Sequence, residues 1–260
     1  MSVNNRVAKP AVYFEPPSRL QLLDKLKHLV RFSDFLLLIS SEPGMGKTTL
    51  SSQLQPDTTD ATLFCCTLDL QTKIDQTELL GMLMAQLPSH EDIGADFPAQ
   101  LNIFHRQLKA LQGSGQKCLI LIDNAENLLP ASLNLLLNLH AAESGNAQLL
   151  FLSSTKFANQ LLKHDQVIHM EGRVHHLELE RMTDEEVVEY LSVCHPTQAL
   201  TDKQIDQIKS LSGGVPEKIE QLLKGKKVTA ATSSVTAFPL PGLHMLGIGL
   251  VLFSIVMLSL

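Results

Sequence analysis

An α/β fold is predicted for this sequence: a five-stranded parallel sheet flanked by helices, with a small all-helical unit behind it. Three observations carry that expectation. Apolar, β-like runs alternate with helix-period segments over residues 18–180, the signature of strand–helix–strand crossovers. Between the first apolar run and a helical pattern stands Ser41-Glu42-Pro43-Gly44-Met45-Gly46-Lys47-Thr48-Thr49, a glycine-bearing turn closed by lysine and threonine. Over 183–224 the strand-like runs stop and only helical patterns remain.

In chain order, residues 1–17 are polar at first and read as an N-terminal arm. The core, 18–180, takes strands at 35–40, 62–68, 117–122, 148–153 and 174–179, each a short apolar run. Helices fit 20–30, 47–55, 77–86, 98–111 and 131–141, where apolar residues recur every three or four positions. In the helical lid, 181–225, Thr183 with Glu186 and Thr201 with Gln204 have capping-box spacing and mark two helix starts. Gly213, Gly214 and Pro216 break the chain before a third helix over 217–223.

The C-terminal stretch has a different composition. After Lys227 no Asp, Glu, Lys or Arg occurs. Residues 226–241 read as a flexible linker, small, polar and proline-bearing. Residues 242–260 are almost wholly apolar and long enough to cross a hydrocarbon core of ~30 Å as a helix. A single transmembrane helix is expected there rather than a buried core helix. Lys224, Lys226 and Lys227 on its N-terminal side then place the N-terminal domain in the cytoplasm, at the inner membrane. Residues 1–10 have no apolar signal-peptide region, which agrees. The chain is expected to be tail-anchored or a piece of a longer one. A net charge of −6 gives no electrostatic footprint for nucleic acid.

The turn at 41–49 matches G-x-x-x-x-G-K-[ST], the phosphate-binding loop, except that Ser41 stands where glycine is usual. A P-loop NTPase core is therefore expected, with ATP and Mg²⁺ as cofactors. Glu42, Pro43, Gly44, Met45, Gly46, Lys47, Thr48 and Thr49 are the nucleotide-binding candidates. In such a loop the backbone N–H groups turn toward phosphate oxygens, the lysine reaches the β- and γ-phosphates, and the Thr48 hydroxyl ligates the metal. Asp123, at the end of the apolar run 118–122, is the second metal-side candidate. Asn124 occupies the place where many such ATPases carry a glutamate; an amide orients water but cannot take its proton. Glu126 is the nearest alternative carboxylate. Ser153, Ser154 and Thr155, after the fourth run, are either a γ-phosphate contact or an ordinary loop.

The order of these motifs resembles the AAA+ superfamily over about residues 15–225, in particular the ATPases related to the general-secretion protein ExeA and the clamp-loader and origin-recognition branches. The resemblance implies that Arg173, in Gly172-Arg173-Val174, reaches into a neighbouring subunit's ATP site. It implies a homo-oligomer. It also aligns Leu211-Ser212-Gly213-Gly214-Val215-Pro216-Glu217-Lys218 with the lid motif that supplies a phosphate-sensing arginine. Here Glu217 takes that position, and Lys218 beside it is the substitute cation. With the linker and membrane segment, the architecture resembles the DamX-type cell-division proteins, which implies division or secretion machinery as partner. Three functions stay open: a slow membrane-anchored ATPase, a nucleotide-binding switch or scaffold without significant hydrolysis, and an initiator-like DNA-binding ATPase.

Overall fold

The computed structural model describes residues 14, 16–54, 62–88, 96–142, 147–170 and 172–225. Its strands are β1 (Leu36–Ser41), β2 (Leu63–Asp69), β3 (Lys117–Asp123), β4 (Ala147–Ser154) and β5 (Val174–Glu178). They form one five-stranded sheet in the order β2-β3-β4-β1-β5, parallel throughout. Strands β1, β3 and β4 are buried nearly end to end, which is why they read as unbroken apolar runs instead of alternating ones.

Helices cover both faces. Helices α1 (Pro17–Phe32) and α2 (Lys47–Leu54) lie on one side, where Leu23, Leu26 and Leu50 pack on Leu37, Leu121 and Leu150. Helices α3 (Gln76–Met84), α4 (Phe97–Gly113), α5 (Pro130–Ala142) and α6 (Thr155–Leu161) lie on the other, with Phe104, Leu136 and Phe151 at the centre. A short helix α7 (Asp165–Ile168) leads into β5. Helices α8 (Asp184–Cys194), α9 (Asp202–Ser212) and α10 (Pro216–Leu223) follow, gathered around Val187, Leu191, Ile208 and Ile219. Both expected capping boxes are present, at Thr183 with Glu186 and at Thr201 with Gln204.

All five expected strands are found, with their ends moved by a residue or so. Strands β1, β2, β3 and β4 each run on to a polar residue, Ser41, Asp69, Asp123 and Ser154, because backbone pairing continues after the apolar run has ended. Helix α1 starts earlier than expected, since Pro17 is preset for the first helical position. No element was assigned to residues 155–168 from the sequence; they form α6 and α7, and Ser154 caps α6 by accepting from Phe157 N. Most of the N-terminal arm, the linker 226–241 and the apolar segment 242–260 lie outside the described residues. Among the described residues no helix is long and apolar enough to cross a membrane.

The topology gathers polar residues at one edge. In a parallel sheet all C-terminal strand ends face the same way, so Ser41, Asp69, Asp123 and Ser154 arrive together where α/β folds bind ligands.

Candidate nucleotide site

Strand β1 ends at buried Ser41, the loop turns through Gly44 and Gly46, and α2 begins at Lys47. Gly44 has φ +79° and Gly46 φ +85°, left-handed values that favour glycine at both positions. Asn124 is the only non-glycine residue with positive φ among the described ones, so Ser41 needs no glycine-like freedom. Its departure from the loop pattern is harmless for that reason. The Ser41 hydroxyl instead accepts from Lys47 Nζ at 3.0 Å, and the Ser41 and Glu42 carbonyls lie 3.4 Å from the same ammonium. Burial lowers the pKa of Lys47, while the carboxylates of Glu126 and Asp123 pull it back up.

Facing the lysine, Thr48 Oγ1 donates to Asp123 Oδ2 at 2.5 Å, and Asn124 N–H donates to Asp123 Oδ1 at 2.8 Å. Asp123 is 2% exposed. Burial raises its pKa, and the Thr48 and Asn124 hydrogen bonds only partly offset the rise. A carboxyl with a folded pKa above its unfolded value contributes its stability fully below the ordinary value of 3.8 and loses it as pH rises through the folded value. Asp123→Asn keeps the shape and removes the charge. It is expected to raise the melting temperature of the nucleotide-free protein at neutral pH, with the gain vanishing below about pH 3.8. Thermal melts at pH 3.5 and pH 7 check this; an equal shift at both would sink it.

The Asn124 amide is already engaged. It sits in the left-handed region, φ 55° and ψ 44°, where asparagine is tolerated, and its Nδ2 donates to Asp69 Oδ1 at 2.8 Å. Its side chain thus ties the end of β3 to the end of β2. Glu126 comes from the 3-10 turn that follows and lines the cleft, with Oε2 accepting from Ser154 N–H at 3.2 Å.

These groups border one cleft of 510 Å³, whose wall includes 43–49 of the loop, Asp123, Asn124, Glu126 and Ser154. Helices α8 and α10 close it with Tyr190, Pro216, Glu217 and Glu220. Lys218 is absent from that wall, a correction to the expected substitute cation. On α10 it lies beside Glu217 in sequence but about 100° around the helix, so the acid faces the loop. Glu42 is turned outward and pairs with Arg181 at 2.6 Å. Arg173 does not join the cleft either. It stands before β5 at the opposite edge of the sheet, half-exposed, 3.7 Å from Asp34.

Two arginines were not picked out from the sequence. Arg19 of α1, 7% exposed, donates to the Met45 carbonyl at 2.9 Å and to the Glu180 carbonyl at 3.1 Å, bracing the loop from behind. Arg181 holds Glu42 from the start of the lid. Their partners are distant in sequence, and no local pattern marks them.

The donor set fits a magnesium nucleotide. Two left-handed glycines free backbone N–H groups, Lys47 supplies a cation, α2 begins at the loop, and the Thr48–Asp123 pair offers a hydroxyl and a carboxylate for a divalent ion.

Comparison with known proteins agrees with this chemistry. A model of the AAA domain family matches residues 30–162. The general secretion pathway protein A of Aeromonas hydrophila is 26% identical over 195 residues, covering 70% of this chain and 35% of its own length. The chain therefore spans about a third of that relative. The crystal structure of Cdc6p from Pyrobaculum aerophilum has a TM-score of 0.62 at 15% identity, covering 84% of this chain and 65% of its own. The ORC2 protein of Aeropyrum pernix, in ADPNP–ADP complexes, gives 0.61 at 14% identity over 87% and 69%. At such identities the structural likeness is one of fold.

Proposed function

Because the chain belongs to the AAA domain family, we propose that it binds Mg-ATP in the cleft between the P-loop and α10, hydrolyses it slowly, and works as a membrane-anchored homo-oligomer. One observation carries this reading: Lys47, Thr48 and Asp123, contributed by α2 and β3, converge on a single cleft behind a loop with two left-handed glycines. Lys47 would hold phosphate oxygens, and Thr48 with Asp123 would hold Mg²⁺. Bound Mg²⁺ would offset phosphate charge during transfer. Glu126 is the carboxylate with the chemistry to orient or deprotonate water. Its hydrogen bond to Ser154 N–H fixes it on the cleft wall. Slow turnover follows from Asn124, whose amide is committed to Asp69 and has no basicity.

Turnover by the full chain in detergent, with Lys47→Ala as the blank, tests the reading. Glu126→Gln is expected to reduce the rate to that of the blank while nucleotide affinity stays within about threefold. If wild type already turns over no faster than the blank and still binds nucleotide, the switch reading replaces the enzyme. The membrane anchor rests on the composition of 242–260 and the cytoplasmic face on the lysines before it. Reporter fusions would test both, and an exported N-terminus would refute the topology. Oligomer action rests on Arg173, exposed at the far edge of the sheet. A role beside division or secretion machinery rests on resemblance of architecture.

A further inference from the structure

The cleft is poor in positive charge. Among the described residues that line it, Lys47 is the one lysine or arginine, against Asp123, Glu126, Glu217 and Glu220. Asp123 belongs to the metal side, but Glu217 and Glu220 come from the lid, three residues apart on one face of α10. Glu217 is also docked. Its N–H donates to the Gly44 carbonyl at 3.1 Å, and Gln221 Nε2 donates to its Oε1 at 3.1 Å. That leaves Oε2 against the loop, 2.6 Å from where a side chain on Gly44 would begin. The lid thus lays a carboxylate on the phosphate-binding loop itself.

We infer that Glu217 sets which nucleotide the cleft prefers, penalising the triphosphate relative to the diphosphate. The inference rests on the nucleotide-binding reading above. A polyphosphate in the cleft shares the space with the Glu217 carboxylate, and each additional phosphate adds negative charge to a site whose one ammonium already feels the carboxylates of Glu126 and Asp123. Like charges several ångströms apart in a partly solvated cleft repel by roughly 1 kcal/mol, or about fivefold in affinity. The lid contact is therefore made most comfortably with a diphosphate or with no nucleotide, and the triphosphate works against it.

The test is titration of the full chain with Mg-ADP and with the non-hydrolysable Mg-ADPNP, for wild type, Glu217→Gln, Glu217→Lys and Lys47→Ala. Wild type is expected to bind the diphosphate more tightly. Glu217→Gln is expected to shift the triphosphate-to-diphosphate affinity ratio about fivefold toward the triphosphate, and Glu217→Lys further. Both shifts should shrink as salt is raised from 0.05 to 0.5 M. A residue that merely latched the lid would change both affinities by the same factor, so a ratio within twofold of wild type in both variants overturns the proposal. If wild type binds neither nucleotide, or Lys47→Ala binds both as well as wild type does, the nucleotide reading itself falls and takes the proposal with it.

Discussion

Replacing Lys47 with alanine is expected to weaken Mg-ATP binding by roughly 10- to 100-fold, the equivalent of about one charge-assisted hydrogen bond at ~1.5–3 kcal/mol. The loss is large because no other lysine or arginine among the described residues lines the cleft, so nothing nearby takes over. The fold should survive. Without nucleotide, the ammonium contacts only Ser41 and Glu42 oxygens, and its burial already lowers its pKa, so removing it relieves a desolvation cost. Alanine is also favourable at the start of α2. Calorimetric titration together with a thermal melt checks both halves. Affinity within about threefold of wild type would mean that the loop does not hold phosphates in the manner argued.

Gly214→Ala is expected to have the largest effect on stability, a loss of about 3 kcal/mol or more. Gly214 has φ +75°, and a Cβ there would overlap the carbonyl oxygen of Met182 and come within 3.0 Å of Met182 N. Both contacts are backbone, which cannot step aside as a side-chain tip can. They also flank the hydrogen bond from Met182 N–H to the Gly214 carbonyl, at 3.0 Å, which pins the lid entry to the turn before α10. For a domain of this size the melting temperature should fall by about 6–12 °C, at ~2–4 °C per kcal/mol. Gly81→Ala is the internal contrast. Gly81 lies inside α3, has no positive φ and would meet nothing within 4 Å, so alanine should stabilise by ~0.5–1 kcal/mol. If the two variants melt alike, the backbone-contact argument fails.

What could be read from the sequence follows the range over which the physics acts. Strands β1, β3 and β4 were legible because burial on both faces leaves an apolar run, and the loop was legible because its whole chemistry lies between Ser41 and Thr49. Asp123 was legible from its place at the end of β3. Asn124 was visible, but its reason was not: the amide serves Asp69, which reaches it only through the pairing of β2 with β3. Glu217 and Lys218 are neighbours in sequence and differ only in which way α10 turns them, a matter settled by Ile219 facing the lid interior. Helices α6 and α7 are too short for periodicity to register. Arg19 was invisible, because a charged residue near a helix start is ordinarily solvated, and its bonds to Met45 and Glu180 end on backbone carbonyls, which no side-chain pattern announces.

Arg19 also says something about how the molecule comes into being. Its guanidinium spans a sequence separation of 26 to Met45 and 161 to Glu180. The first of these contacts can form while the chain is still short. The second must wait until every strand of the sheet has been made, since β5 ends at Glu178. Contacts that close such long loops are formed late and slowly. A nascent chain can therefore pair β2 with β3 before the support behind its phosphate loop is complete, whereas β1, which carries that loop, must wait for β4 and β5 to find its neighbours in the sheet.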